Sequence, residues 1–196
     1  MAKKIFILLA EGFEEVEALT PADILKRSGC EVVLVNCASK TVPQSSEAPF
    51  VTGSHGFSVK TDMALQDAVN VVLPDAVILP GGMPGSVNLA ENKAVEDFTV
   101  RMDKAGKLVA AICAAPAVAF AKFGILKDRK FTCYPGMETD VPAALCAEWL
   151  EQPVVRDGNC ITSRGPGTAA AFGFAVADYL LGENHSAGLR KGMLFN

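Results

Sequence analysis

Two hydrophobic patterns alternate along the chain. The first is a short, nearly unbroken apolar run: Lys4–Leu9, Glu31–Asn36, Ala76–Leu79 and Leu108–Ile112. Runs of this length, apolar on both faces, predict strands buried on both sides rather than helices. The second is a longer stretch with helical spacing: Glu14–Arg27 closed by Gly29, Lys93–Ala105, Ala114–Phe123, and Thr168–Leu181, entered by Pro166-Gly167 and left at Gly182. Between the second strand and the third, residues 37–60 read as irregular, with Pro43, Pro49, Gly53 and Gly56 and short strands at Phe50–Thr52 and Phe57–Lys60. Phe131–Cys133, Val154–Arg156 and Cys160–Thr162 complete the expected strands. Fully apolar strands alternating with helices predict an α/β fold, flavodoxin-like and doubly wound, with a mostly parallel sheet covered on both faces. No repeat or long linker divides the chain, so a single domain over 1–196 is expected. In such sheets ligands bind beyond the carboxyl ends of the strands. The strand-to-helix junctions therefore hold the candidate chemistry.

Composition narrows the function classes. Half of the 196 residues are hydrophobic and 20% are charged, enough for a sizeable core and unlike a disordered chain. With 18 Lys and Arg against 22 Asp and Glu, the net charge is −4, and no basic block marks a footprint for nucleic acid or anionic lipid. Lys3 and Lys4 precede only six apolar residues before Glu11, short of a secretory core of about 7–15. The longest uncharged apolar run, Leu108–Ala121, has fourteen residues and contains Pro116, short of the roughly 20 of a membrane span. A cytoplasmic protein without membrane association is expected. Six scattered cysteines form no CxxC pair, and the two histidines have no zinc spacing, so reduced thiols and no metal are expected.

Three junctions stand out. In Leu108-Val-Ala-Ala-Ile-Cys113-Ala-Ala-Pro116, a cysteine sits where a buried strand turns into a helix, crowded by alanines as a tight nucleophile elbow requires. A helix N-terminus aimed at the sulfur is expected to lower its pKa and to make Cys113 the most reactive of the six thiols. The alternative is a small core hydrophobe. In Leu79-Pro80-Gly81-Gly82-Met83-Pro84-Gly85, two glycines after a strand free backbone N–H groups for an oxyanion, although a plain turn has the same composition. In Glu11–Leu19, Glu17 shares a helix face with Phe13, Thr20 and Ile24. A carboxyl on an apolar stripe is costly unless protonated or hydrogen-bonded, and its raised pKa suits proton transfer near neutrality. Glu14 and Glu15 read instead as first-turn acids complementing the helix dipole. A fourth junction, Thr162–Thr168, reads as a helix entry that could also wall a pocket.

The stretches LAEGFEEVEALTPADILKRSG, LPGGMPGSVNL, AAICAAPA and TSRGPGTA, in this order, resemble the ThiJ/PfpI superfamily, and within it the parkinsonism-associated deglycase branch. The resemblance implies that Cys113 is the reactive elbow cysteine, that Glu17 hydrogen-bonds it, and that the N–H groups of Gly82 and Ala114 form the oxyanion pocket. It further implies a homodimer and a cofactor-independent glyoxalase or deglycase. Protease-type members carry a histidine directly after the cysteine. Ala114 stands there, so a protease is not expected. Some branch members carry a histidine where this chain has Tyr134, and many relatives have an arginine where it has His55, which a neighbouring subunit could present to the site.

The expected function is a glyoxalase or deglycase acting on methylglyoxal, another small aldehyde or early glycation adducts, without a cofactor. The alternatives are a redox sensor or stress chaperone working through a Cys113 sulfinate, and a binding module with an inert pocket.

Overall fold

The structure, a computed structural model, describes residues 2–37, 50–70 and 73–195. The expected irregular stretch with Pro43 and Pro49 lies, over 38–49, outside the described residues. A seven-stranded sheet is built from β1 (Lys4–Leu9), β2 (Glu31–Asn36), β5 (Met63–Ala64), β6 (Ala76–Leu79), β7 (Leu108–Ile112), β10 (Val154–Asp157) and β11 (Cys160–Ser163). Their order is β10-β11-β7-β6-β1-β2-β5. All neighbours run parallel except the edge pair β10–β11, an antiparallel hairpin. Two small two-stranded sheets lie outside it: β3 (Phe50–Thr52) with β4 (Ser58–Lys60), and β8 (Lys130–Phe131) with β9 (Glu148–Trp149). The helices are α1 (Glu15–Arg27), α2 (Leu65–Ala68), α3 (Gly85–Glu91), α4 (Lys93–Lys104), α5 (Ala169–Leu181) and α6 (Ala187–Gly192).

The apolar strands are apolar because both faces are covered. In β1, Ile5, Ile7 and Leu9 join a core with Ala18 and Leu25 of α1 and Phe172 and Val176 of α5. Phe6 and Leu8 join the opposite core with Leu89 of α3 and Phe98 and Met102 of α4. Phe6 and Phe98 stack with centroids 6.0 Å apart. At roughly 25 cal/mol per Å², each fully buried side chain of this size contributes about 1.5–3 kcal/mol.

The α/β, mostly parallel class expected from the sequence is thus the class found, with differences in detail. The segment expected as a helix from Ala114 is π-helical over Pro116–Phe120, where the Ala121 N–H reaches back to the Pro116 carbonyl. The strand expected at Phe131–Cys133 is Lys130–Phe131 and pairs with Glu148–Trp149 outside the main sheet. The helix α3 falls in the turn-like stretch after Pro84. For the site, strand order matters most. From β1 the chain runs outward through β2 and β5, then returns to β6 on the other side of β1. The loops after β1 and β6 therefore diverge at the topological switch point and open a crevice there.

Candidate active site

Cys113 follows the last residue of β7, in a left-handed conformation (φ 64°) that L-residues rarely adopt. Its N–H donates to the Ser163 carbonyl at the end of β11 (2.9 Å), and its carbonyl accepts from the Tyr134 N–H (2.8 Å). The elbow is thereby clamped from two sides. The backbone N–H groups of Ala114, at the start of the following helix, and of Gly82, after β6, lie in hydrogen-bonding reach of the sulfur.

Glu17, in the first turn of α1, is fully buried. Its Oε2 accepts from the Gly81 N–H at 2.9 Å. The Cys113 thiol interacts with the same carboxyl, yet the geometry leaves Oε1 buried without a complete hydrogen bond. No side chain fits at Gly81: a Cβ there would lie 2.5 Å from Glu17 Oε2 and 2.6 Å from Cys113 Cβ. Gly82 takes a positive φ (87°), and a Cβ would meet the Glu14 nitrogen at 2.4 Å. The Pro-Gly-Gly turn is thus what lets carboxyl, thiol and backbone donors converge.

The electrostatics follow from this crowding. Burial raises the Glu17 pKa to about 7 against the stabilising contacts from Cys113 and Gly81. Burial, then the facing Glu17, pushes the Cys113 thiol up to about 12, against the N–H groups of Ala114 and Gly82 that favour its anion. The expected lowering of the thiol pKa by the helix terminus is therefore outweighed. Two N–H groups cannot offset desolvation plus an adjacent carboxylate. The arrangement sets a thiol whose ionisation burial and Glu17 disfavour beside a carboxyl positioned to take its proton as the sulfur attacks.

Glu15 is a first-turn acid of α1, as expected, and it has a further role across the chain. It is buried and accepts from the N–H groups of His55 (2.8 Å) and Phe57 (3.4 Å) and bonds His55 Nδ1 (2.9 Å). It thereby holds the β3–β4 hairpin against α1. Hence the His55 ring serves Glu15 and Glu14 within its own chain (Nδ1 2.9 and 3.4 Å) and stays largely exposed. Glu14, Glu15 and His55 offer three ligand atoms within 4.8 Å of one another, a grouping that could hold a metal ion, although both Glu15 oxygens are already engaged. Tyr134 is half-exposed, with its ring beside Gly165. All six cysteines are free, and Cys146 is the exposed one. The sequence reading missed Gly81 as the Glu17 donor and Ser163 as the elbow clamp. The doubled glycine was a signal for the first, and the Thr162–Thr168 junction marked the neighbourhood of the second but not its bond to Cys113.

A strand-end cysteine in a strained turn, faced by a buried carboxyl in an α/β sheet, defines the class. The chain belongs to the DJ-1/PfpI family, whose model matches residues 3–179. Among curated relatives, the Arabidopsis thaliana protein DJ-1 homolog B is 38% identical over 92% of this chain, which spans only 39% of that protein's length. The deglycase PfpI of Pyrococcus furiosus is 42% identical, covering 86% of this chain and 94% of its own. Among solved structures, a cysteine-to-alanine mutant of a DJ-1 superfamily protein from Salmonella typhimurium superposes with TM-score 0.90 (35% identity, 99% of each chain). An oxidised Toxoplasma gondii DJ-1 superposes with TM-score 0.88 (29% identity, 99% of each chain).

Proposed function

We propose that the protein is a cysteine-dependent, cofactor-independent glyoxalase or deglycase acting on methylglyoxal or on early glycation adducts. The observation that carries this reading is the convergence of Cys113, the buried Glu17 carboxyl and the N–H groups of Gly82 and Ala114 at one strand end. The deglycase name borne by a relative 42% identical supports it. The Cys113 sulfur adds to the aldehyde carbon as Glu17 takes the thiol proton, which gives a hemithioacetal. The N–H groups of Gly82 and Ala114 hold the developing oxyanion. Glu17 gives that proton to the substrate oxygen and, ionised again, carries the proton from the former aldehyde carbon to the neighbouring ketone carbon, while the hydroxyl proton of the hemithioacetal passes to the former ketone oxygen. One carbon is oxidised and the other reduced, so the electrons balance within the substrate and a thioester of lactate results. Water cleaves it to lactate and the free thiol, for a net addition of water to methylglyoxal.

A second reading is a redox sensor or stress chaperone, in which two equivalents of peroxide convert the Cys113 thiol to a sulfinate with release of two waters. The relative solved in oxidised form favours keeping it. On either reading the residues 1–196 act as one domain, and the protein works as a cytoplasmic homodimer. Six free thiols fit a reducing compartment. Among the described residues no helix is long and apolar enough to cross a membrane. The deciding experiment is turnover of methylglyoxal without added cofactor by wild type beside Cys113→Ser. Lactate from wild type alone is expected, and equal rates would overturn the reading.

A further inference from the structure

Gly165 follows β11, and the space above it is enclosed from two directions. A Cβ built there would lie 3.6 Å from Tyr134 Cδ2 and 3.9 Å from Cε2, and 3.9 Å from Glu17 Oε1. One glycine therefore separates an aromatic ring from the buried carboxylate oxygen that lacks a complete hydrogen bond. The backbone that carries the ring is bonded to the reacting residue, because the Tyr134 N–H donates to the Cys113 carbonyl at 2.8 Å. The residue is also 49% exposed, although its ring lies beside the reacting groups. Burying a ring of this size normally returns free energy, and aromatic pairs gain more by stacking or edge contact. The ring of a half-exposed residue whose backbone is held at the elbow is a surface on which part of a ligand can lie.

We propose that Tyr134 is a specificity-determining residue that directs the site towards carbonyl compounds bearing an aromatic or bulky apolar substituent. The slot over Gly165 would admit that substituent. This rests on the proposed cysteine chemistry at Cys113 and names its substrate class. The reactive carbonyl sits at Cys113 and Glu17, and the substituent lies along the Tyr134 ring. For an aromatic 2-oxoaldehyde the balance is that of methylglyoxal: water is added and the corresponding aromatic 2-hydroxy acid leaves. The extended backbone of Gly165 (φ 164°) and the absence of any atom closer than 3.6 Å mean that alanine fits there without strain. Its methyl group would occupy the slot.

The test separates the shape of the site from its chemistry. Iodoacetamide and N-phenyl iodoacetamide are applied to the intact protein, and alkylation rates are read peptide by peptide. Exposed Cys146 serves in the same sample as the internal standard for intrinsic reagent reactivity. Relative to Cys146, Cys113 of wild type is expected to favour the phenyl reagent. In Tyr134→Ala that preference falls about three- to tenfold. Tyr134→Phe keeps it, because the ring is retained, and Gly165→Ala loses it with the far-UV circular dichroism unchanged. A phenyl preference at Cys113 equal to that at Cys146, or unaltered by Tyr134→Ala, overturns the proposal. Turnover of phenylglyoxal and methylglyoxal is then compared. Turnover without phenyl selectivity refutes the role of Tyr134 and leaves the glyoxalase reading standing. Phenyl selectivity without turnover of either substrate refutes the glyoxalase reading and leaves the aromatic subsite standing.

Discussion

Glu17 is the residue at which function and stability pull in opposite directions. Its carboxyl is fully buried, and burial raises its pKa from 4.5 to about 7. The folded state therefore holds the proton more tightly than the unfolded chain does. The associated stability is fully present below about pH 4.5 and is lost as the pH rises through about 7. A shift of this size corresponds to about 3 kcal/mol. Glu17→Gln removes the ionisation and keeps an oxygen to accept from Gly81. The variant is expected to melt higher than wild type at pH 8, with little difference at pH 4, while losing turnover for want of a proton acceptor. Thermal melts at both pH values check this, and a variant less stable than wild type at pH 8 would show that the ionised carboxyl is not a burden. In wild type, turnover should rise through about pH 7 as Glu17 ionises. Much of this was legible in the sequence, because a glutamate on an apolar helix face has few solvated options. Glu15, two residues earlier, was not. Its partners His55 and Phe57 lie 40 and 42 residues away, and no local periodicity encodes a contact of that range.

At the scale of elements, the buried Glu15 carboxylate is one of several ties between the β3–β4 hairpin and the start of α1, beside the Ser54 hydroxyl on Glu14 Oε2 (3.2 Å) and the Ser54 N–H on the Phe13 carbonyl (2.8 Å). Gly53 lies so close to Glu15 that a Cβ would fall 2.4 Å from its carboxyl. Burial pushes the Glu15 pKa up, but its hydrogen bonds from the His55 side chain and from the backbone outweigh this and leave it below its usual value. Its contribution is present above about pH 4.5 and is lost as the pH falls through its lowered folded value. The Glu15 hydrogen bond, with the charges of Glu14 and Glu15, raises the His55 pKa, so that contribution is present below about 6.5 and is lost as the pH rises through the higher folded value. Glu15→Ala leaves the N–H groups of the exposed residues His55 and Phe57 to water instead of a carboxylate and is expected to loosen the hairpin. Amide exchange of residues 53–60 should accelerate in this variant while β1 and β7 stay protected. Unchanged exchange in the hairpin would mean that its backbone pairing and the Ser54 bonds hold it without Glu15. The strands buried on both faces were read from the sequence to the residue, since continuous apolarity has one structural use at that length. The helix α3, seven residues long and rich in small side chains, and the two-residue strands β5 and β9 carry too little pattern to be read, and β8 was read only with its bounds displaced. The π-helical turn after Cys113 was equally silent, because it differs from an α-helix by one hydrogen-bond step.

For the whole molecule, the sequence indicated a parallel sheet but not its order, since crossovers between strands leave no local signature. That order sets the site: the return from β5 to β6 across β1 opens the crevice in which Glu17 meets Cys113. The same end of the molecule carries apolar groups in solvent. Val16 is 46% exposed, Leu19, one turn further along α1, 38%, and Phe57, on the hairpin that Glu15 fixes to α1, 68%. Single exposed hydrophobes need no explanation, but three grouped at the start of one helix and the hairpin docked on it fit a covered face. We take the cover to be a second copy of the chain, in keeping with the proposed homodimer. In a two-fold contact each residue appears twice, so one charged substitution places two charges in the interface. Val16→Glu combined with Leu19→Glu should therefore convert a species of twice 20.6 kDa into one of 20.6 kDa in sedimentation equilibrium. The helix itself should persist, because both side chains point outward and leave the buried Ala18, Pro21 and Leu25 untouched. Far-UV circular dichroism checks that point. Wild type sedimenting as a monomer would dismiss the homodimer, and a variant that stays dimeric would move the interface away from α1.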